Sequence, residues 1–283
     1  LTQNKYYFIK NKNEKYPLKT HVISELIKIN SEEKYSKKNA ENTHQNLSHL
    51  AFFKKISIEF IEIEDQKKLD CHIYMENPTK MYYSFEAEVK RSSDEGNVGL
   101  SGYFQFGNKN LFRGAENLNS KIKVSLGNRQ ASSNNNDELF NTKEISYEIG
   151  LKKPKIILPK NLQKWLNNSS QMNTNFIVSV TKRERPDFSS QTITQKLGYQ
   201  WRNADHIQHQ LNLIELSFLD IKENDFISSL IENNIYLQEQ FEDKFIPATN
   251  YTFVFNNQRQ HKMLNHMYLK TKIETSGNLF QLL

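Results

Sequence analysis

The stretch VGLSGYFQFGNKNLFRGAENLNSKIKVSL, residues 98–126, decides how the chain reads. Val98, Leu100, Phe104 and Phe106 fall on one face, and Ser101, Tyr103 and Gln105 on the other. After a turn containing Gly114, Ile122, Val124 and Leu126 oppose Lys121, Lys123 and Ser125. A period of two is the signature of strands whose faces meet different surroundings. Two such strands joined by a turn predict an antiparallel pair.

Working outward, the same period recurs. Tyr83, Phe85, Ala87 and Val89 alternate with Ser84, Glu86, Glu88 and Lys90, and Ile145, Tyr147, Ile149 and Leu151 with Glu144, Ser146 and Glu148. Phe176, Val178 and Val180 follow, then Leu197, Tyr199 and Trp201. Leu211 and Leu213 give way, with a slip of phase, to Ile214, Leu216 and Phe218. Tyr251, Phe253 and Phe255 come next, and Met267, Leu269, Thr271 and Ile273 end the series of about nine strands. Several patterns extend to about eleven residues, which at ~3.3 Å per residue and ~45° tilt crosses an apolar band near ~25 Å. Tyr82, Tyr103, Phe106 and Trp201 sit near pattern ends, where interfacial aromatics belong. The alternative is a soluble sandwich, whose strands are usually nearer five or six residues. Its turns are also tighter than 132–142 or 222–248.

The apolar runs are only a few residues long, far short of the ~20 a spanning helix needs, while a mean hydropathy of −0.74 remains compatible with a spanning barrel, which is watery on one face. The net charge of +6 comes from Lys and Arg dispersed among acidic residues, which argues against a nucleic-acid partner. Cys71, the single cysteine, excludes an internal disulfide framework and reads as a small core residue.

Residues 1–78 read as a compact α/β module ordered strand, helix, helix, strand, strand. YYFIKN (6–11) is the first strand, and Val22, Ile23, Leu26, Ile27 and Ile29 mark a helix after Pro17. Ser36 caps a second helix carrying Ala40, Thr43, Leu47 and Leu50 on one stripe. A hairpin follows, with Ile56, Ile58 and Phe60 on one strand, Leu69, Cys71, Ile73 and Met75 on the other, a turn at 65–68, and Pro78 closing the unit.

GYFQFGNKNLFRGAENL (102–118) resembles the turn after the second barrel strand in the BamA/TamA family of outer-membrane assembly factors, where an Asn-Leu-Phe-x-Gly type sequence recurs. Asn110, Leu111, Phe112, Arg113, Gly114, Ala115 and Glu116 carry the match. LSHLAFFKKISIEF (47–60) is similar to the end of a POTRA module, the periplasmic repeat that precedes such barrels. TKRERPDF (181–188), LGYQW (197–201) and KTKIETSGNLF (270–280) are similar to barrel segments of the TamA-like lipoprotein branch.

The resemblance implies an α+β POTRA-like periplasmic module (1–78) followed by an antiparallel transmembrane β-barrel (79–283), about half of a roughly sixteen-strand barrel. It places the chain in the outer membrane of a Gram-negative bacterium, with the module in the periplasm. Only one module is visible, the late Arg-Gly loop is absent, and the chain ends Gln281-Leu282-Leu283. The chain is therefore expected to be part of a longer protein, with an export signal upstream of Leu1.

The implied function is assembly, insertion or translocation of other proteins without nucleotide hydrolysis. The implied device is a seam at the first barrel strand, whose residues Met81, Tyr83, Phe85, Ala87 and Val89 are the candidate site. A weakly paired strand can offer its backbone to a client strand; the alternative is an ordinary paired wall. Tyr83, Phe85 and Val89 would face lipid, and Glu86, Glu88 and Lys90 the lumen. For Arg113 and Glu116, solvated turn residues are the preferred reading over an anchor against the module. Expected partners are the bilayer, unfolded outer-membrane or secreted clients, and periplasmic or inner-membrane accessory proteins.

The sequence carries no phosphate loop, no G-x-S-x-G elbow and no H-E-x-x-H, and none of its carboxylates stands isolated on an apolar face. His206 and His209 read as turn histidines, and His261 and His266 as surface ones, so neither enzyme chemistry nor a cofactor is expected. Competing readings are a passive porin-like channel, a dedicated two-partner-type secretion pore and a soluble β-rich binding protein.

Overall fold

The computed structural model describes residues 6–9, 17–31, 33–63, 68–76, 80–90, 99–128, 140–157, 169–186, 188–204, 206–223, 228–229, 241–258 and 266–277. Val98, Pro78, residues 65–67 of the hairpin turn, most of the 132–142 and 222–248 connections, His261 and the last six residues lie outside these.

Two helices, α1 (Thr20–Ser24) and α2 (Lys37–His49), precede a two-stranded antiparallel sheet of β1 (Ile56–Ile63) and β2 (Lys68–Met75). Of the strand expected at 6–11, residues 6–9 join no ladder, and residues 10 and 11 lie outside the described residues. The helix expected through Ile29 stops at Ser24. Its start has no side-chain cap, and β-branched Thr20, Val22 and Ile23 make it a weak helix former. Side chains of α2 then take over the backbone, Thr43 Oγ1 accepting from Lys28 N at 2.9 Å and Asn46 Nδ2 donating to Leu26 O at 3.2 Å. By contrast, α2 begins as expected, with Ser36 Oγ accepting from Asn39 N. Leu18, Ile23, Leu47, Leu50 and Phe52 form a dry core, completed by Ala115 from far along the chain. Cys71 lies outside it and is exposed, correcting the core reading. Its sulfur is still shielded enough by neighbouring atoms to push the thiol up, away from nucleophilic use.

The remaining strands are β3 (Met81–Lys90), β4 (Gly99–Asn108), β5 (Asn117–Gly127), β6 (Thr142–Lys153), β7 (Ser170–Glu184), β8 (Phe188–Ala204), β9 (Ile207–Glu223), β10 (Lys244–Asn256) and β11 (Tyr268–Ser276). They form one nine-stranded meander in sequence order, matching each of the alternating segments. Lengths of 9–17 residues exceed those of a typical sandwich strand.

Cross-strand rows separate by polarity. Phe85, Phe104, Ile122, Tyr147, Val180, Ile193, Phe218 and Phe245 stand opposite one another from β3 to β10. The neighbouring row on the other face reads Ser84, Gln105, Lys121, Glu148, Ser179, Thr194 and Ser217. The apolar row is the open one: Phe104 is 46% exposed and Phe85 74%, whereas polar-face Ser101 is buried. A water-soluble sheet does the reverse, burying its apolar face under a second layer. Here the polar face is the more sheltered one.

The apolar band also slides across the register. The outward row through Ala87 is apolar to Ile145 on β6, then becomes Lys182, Gln191 and Asp220. Toward the other end, the band reaches Trp201, Phe253 and Leu269 on β8, β10 and β11, well below its limit on β3. A drift of roughly one residue per strand, with strands ~4.8 Å apart and ~3.3 Å of rise, gives a tilt of about 35°, the value that closes barrels. The phase slip at Leu213–Ile214 is a bulge in β9, where Leu197 pairs with Ile214 and Gly198 with Asn212.

Candidate functional site: the first strand, its turn and the mouth of the polar face

Met81, Tyr83, Phe85, Ala87 and Val89 all lie on β3, one edge of the meander; among the described residues β3 pairs only with β4. In an antiparallel ladder, main-chain groups of alternate residues point to opposite sides. Half of β3's donors and acceptors therefore face away from β4. Tyr83 is 82% exposed, and Phe85 and Val89 are similarly open on the apolar side. The polar side holds Glu86, Glu88, Tyr103 and Lys121 around an open cleft, in which Tyr103 Oη donates to Glu88 and Lys121 Nζ lies 4.5 Å from the Tyr103 ring centre.

The base of β3 is held more firmly than its length. Lys109 N donates to Lys80 O at 2.8 Å, closing the hairpin. The Tyr82 ring closely covers Gly107, where an added Cβ would come within 2.2 Å of it.

The motif turn 110–116 is strained and internally braced. Arg113 and Ala115 adopt left-handed φ of 65° and 60°, which disfavours side-chain-bearing residues. The Glu116 carboxylate accepts from Phe112 N at 3.2 Å and Gly114 N at 2.9 Å, and Asn110 Oδ1 accepts from Ala115 N at 3.1 Å. A Cβ on Gly114 would meet Glu116 Oε1 at 2.3 Å, so any other residue here would have to displace the Glu116 carboxylate from its bonds. Leu111 N closes the loop on Glu116 O, while Phe112 projects outward, 60% exposed.

This turn is also where the N-terminal elements attach. Asn110 Nδ2 donates to Pro17 O at 2.7 Å, Lys19 N donates to Arg113 O at 2.9 Å, and Ala115 enters the dry core. The solvated-turn reading of Glu116 is therefore corrected: it is 7% exposed and shapes the turn, while Asn110 and the Arg113 carbonyl make the attachment. The sequence could not reveal this, because the partners are backbone groups of Pro17 and Lys19.

Two further ties lie at the same end of the meander. The chain leaving β6 folds over the outer wall: Thr174 Oγ1 donates to Lys155 O at 2.7 Å and accepts from Ile157 N, and Tyr199 Oη donates to Ile157 O at 3.1 Å. This strap buries Ile156 and Tyr199 and pairs Lys155 with Glu25 at 3.0 Å. On the inner side, His49 at the end of α2 meets Asn173.

The polar face is stitched by charge and hydroxyl pairs, with Glu144 bridging Lys123 at 2.7 Å and Arg183 at 2.6 Å, and Lys196 meeting Glu215 at 2.8 Å. His209 is on β9, not in a turn. It stacks on Trp201 with centroids 5.0 Å apart, and its Nδ1 lies 2.7 Å from Tyr251 Oη. With Phe253, and with His206 against Phe255, it makes an aromatic cluster on the apolar face at the mouth end of β8–β10. No grouping of three metal-ligating side chains occurs among the described residues.

No protein-family model matches the sequence, and no curated protein does either. Among solved structures, the crystal structure of BamA from Haemophilus ducreyi lacking POTRA domains 1–3 is similar, with a TM-score of 0.53 at 6% sequence identity. The match covers 92% of this chain, more than residues 79–283 supply, and 46% of the BamA chain. The chain thus spans less than half the length of that structure. At this identity the likeness is one of fold: the nine-stranded sheet is part of a BamA-like β-barrel.

Proposed function

We propose that the chain is part of an outer-membrane protein of a Gram-negative bacterium that assembles, inserts or translocates other proteins, related to the TamA-like branch of the BamA/TamA family. Residues 1–78 are read as a POTRA-like periplasmic module and 79–283 as the first strands of the barrel. The observation that carries the reading is that β3, among the described residues, pairs only with β4, and is flanked by an apolar face on one side and a charged cleft on the other. A client strand could add to that edge with its outward residues in lipid and its inward residues in water. The turn 110–116 attaches the N-terminal elements beside β3 and β4, where a client passing along them would reach the seam. No catalytic group or cofactor is required, since strand exchange proceeds by swapping hydrogen bonds of similar strength. A passive porin-like channel has no use for helices bound at its mouth; a dedicated secretion pore would differ only in its clients.

Cysteines placed singly at Met81, Tyr83, Phe85, Ala87 and Val89 test the seam by cross-linking during client assembly. Adducts with the client's terminal strand are expected, strongest at alternate positions. Active assembly without adducts at any of the five would remove β3 as the gate.

A further inference from the structure

Within the meander, acids on the polar face are matched across the ladder. Glu144 stands opposite Arg183, Glu148 opposite Lys121 and Glu215 opposite Lys196. Glu86 on β3 breaks the pattern. Its partner on β4 is Tyr103, with Ser101 and Gln105 the next polar-face residues to either side. Among the described residues Glu86 makes no hydrogen bond or ion pair. The nearby bases are engaged elsewhere: Lys123 holds Glu144 at 2.7 Å, Lys121 lies over the Tyr103 ring, and Lys90 pairs with Glu88 at 3.2 Å. The remaining place for a complement is the open side of β3.

The backbone tells which residues a strand on that side would meet. Lys109 N donates to Lys80 O, and these two continue the β3–β4 register, so the even-numbered residues of β3 exchange bonds with β4. The main-chain groups aimed away from β4 are those of Met81, Tyr83, Phe85, Ala87 and Val89. In an antiparallel strand added there, the residue opposite Glu86 occupies a non-hydrogen-bonded pair, where facing side chains come closest. Backbone bonds alone leave the register open. A slip of two residues keeps each face on its own side and remakes every bond, and an apolar row tolerates it.

Resting on the reading of β3 as the seam, we propose that Glu86 sets the register of the client strand by pairing with a Lys or Arg at the polar-face position directly opposite. The partner is thus a strand of alternating polarity with a basic residue on its water-facing side. Glu88, already served by Lys90 and the Tyr103 hydroxyl, leaves that choice to Glu86.

The test uses the full chain in lipid vesicles, carrying Cys71→Ser and a single cysteine at Tyr83, Phe85, Ala87 or Val89. The probes are synthetic strands of about ten alternating Val and Thr residues, with one Cys on the Val face and one Lys on the Thr face, joined to the chain by a short thiol-specific cross-linker. A Lys one residue after the Cys should favour the adduct at position 87. A Lys three residues after it should favour position 89, each by about two- to fivefold over the other sites. Glu86→Gln should level the distribution, Glu86→Lys should transfer it to peptides with Glu in place of Lys, and about 1 M salt should weaken it. Adducts whose distribution ignores the Lys, or follows it with a constant offset that aligns it with Glu88, would overturn the proposal and leave the seam standing. Absence of adducts with every peptide would remove the seam itself. Cross-linked dimers of the chain that exclude peptide would put a second copy on the edge and overturn the client reading of Glu86.

Discussion

The N-terminal elements and the nine-stranded meander are built from the same kind of alternating and periodic sequence, yet they place their apolar side chains in opposite directions. In the first, Leu18, Leu47 and Phe52 converge with water excluded. In the second, Phe85, Phe104, Ile122 and Tyr147 look outward, and the charged pairs are the sheltered ones. Alternation reports only that two faces differ. Which solvent each face meets is set by strand length and by whether anything is available to cover the apolar side.

The contrast can be broken most sharply in the dry core. Phe52→Ala should cost about 3–5 kcal/mol, the cost of emptying a large buried site, read as loss of the helical circular-dichroism transition in denaturant. A change below about 1 kcal/mol would mean that the core is not dry. On the meander, Phe104→Arg should cost about 2–4 kcal/mol in lipid vesicles, as expected for a charge near mid-bilayer. Its neighbour Gln105→Arg should stay within about 0.5 kcal/mol. Equal costs at 104 and 105 would mean that the two faces meet the same solvent. Between the two regions, Glu116→Ala leaves the buried Gly114 amide and the part-buried Phe112 amide without their acceptor. It should destabilise the turn by about 1–3 kcal/mol, seen as faster exchange over 110–116. Cys71→Ser, on the open part of the β1–β2 hairpin, should fall within about 0.5 kcal/mol in the same denaturation assay.

The meander was legible because its signal is local: each strand carries its own period, and even the bulge at Leu213 appeared as a slip of phase. The capped helix α2 was legible for the same reason. What escaped was structure decided across distance. The second half of the expected first helix gives way because Thr43 and Asn46 claim the backbone of Lys28 and Leu26. The edge position of β3 was anticipated from the resemblance and from strand order. The bracing by Glu116, the ring of Tyr82 over Gly107 and the His49–Asn173 contact have no sequence signal short of a neighbour map.

The 17-residue strands β8 and β9 have a consequence of their own. At ~3.3 Å per residue and a tilt near 35° they rise about 45 Å, against an apolar belt of ~25 Å. Beyond Ile193 and Phe218 the outer wall turns to Gln191, Ser189, Asp220 and Lys222, wet on both sides. The staves of this cask stand proud of the hoop, a hydrogen-bonded parapet that proteases and antibodies could touch without entering the bilayer.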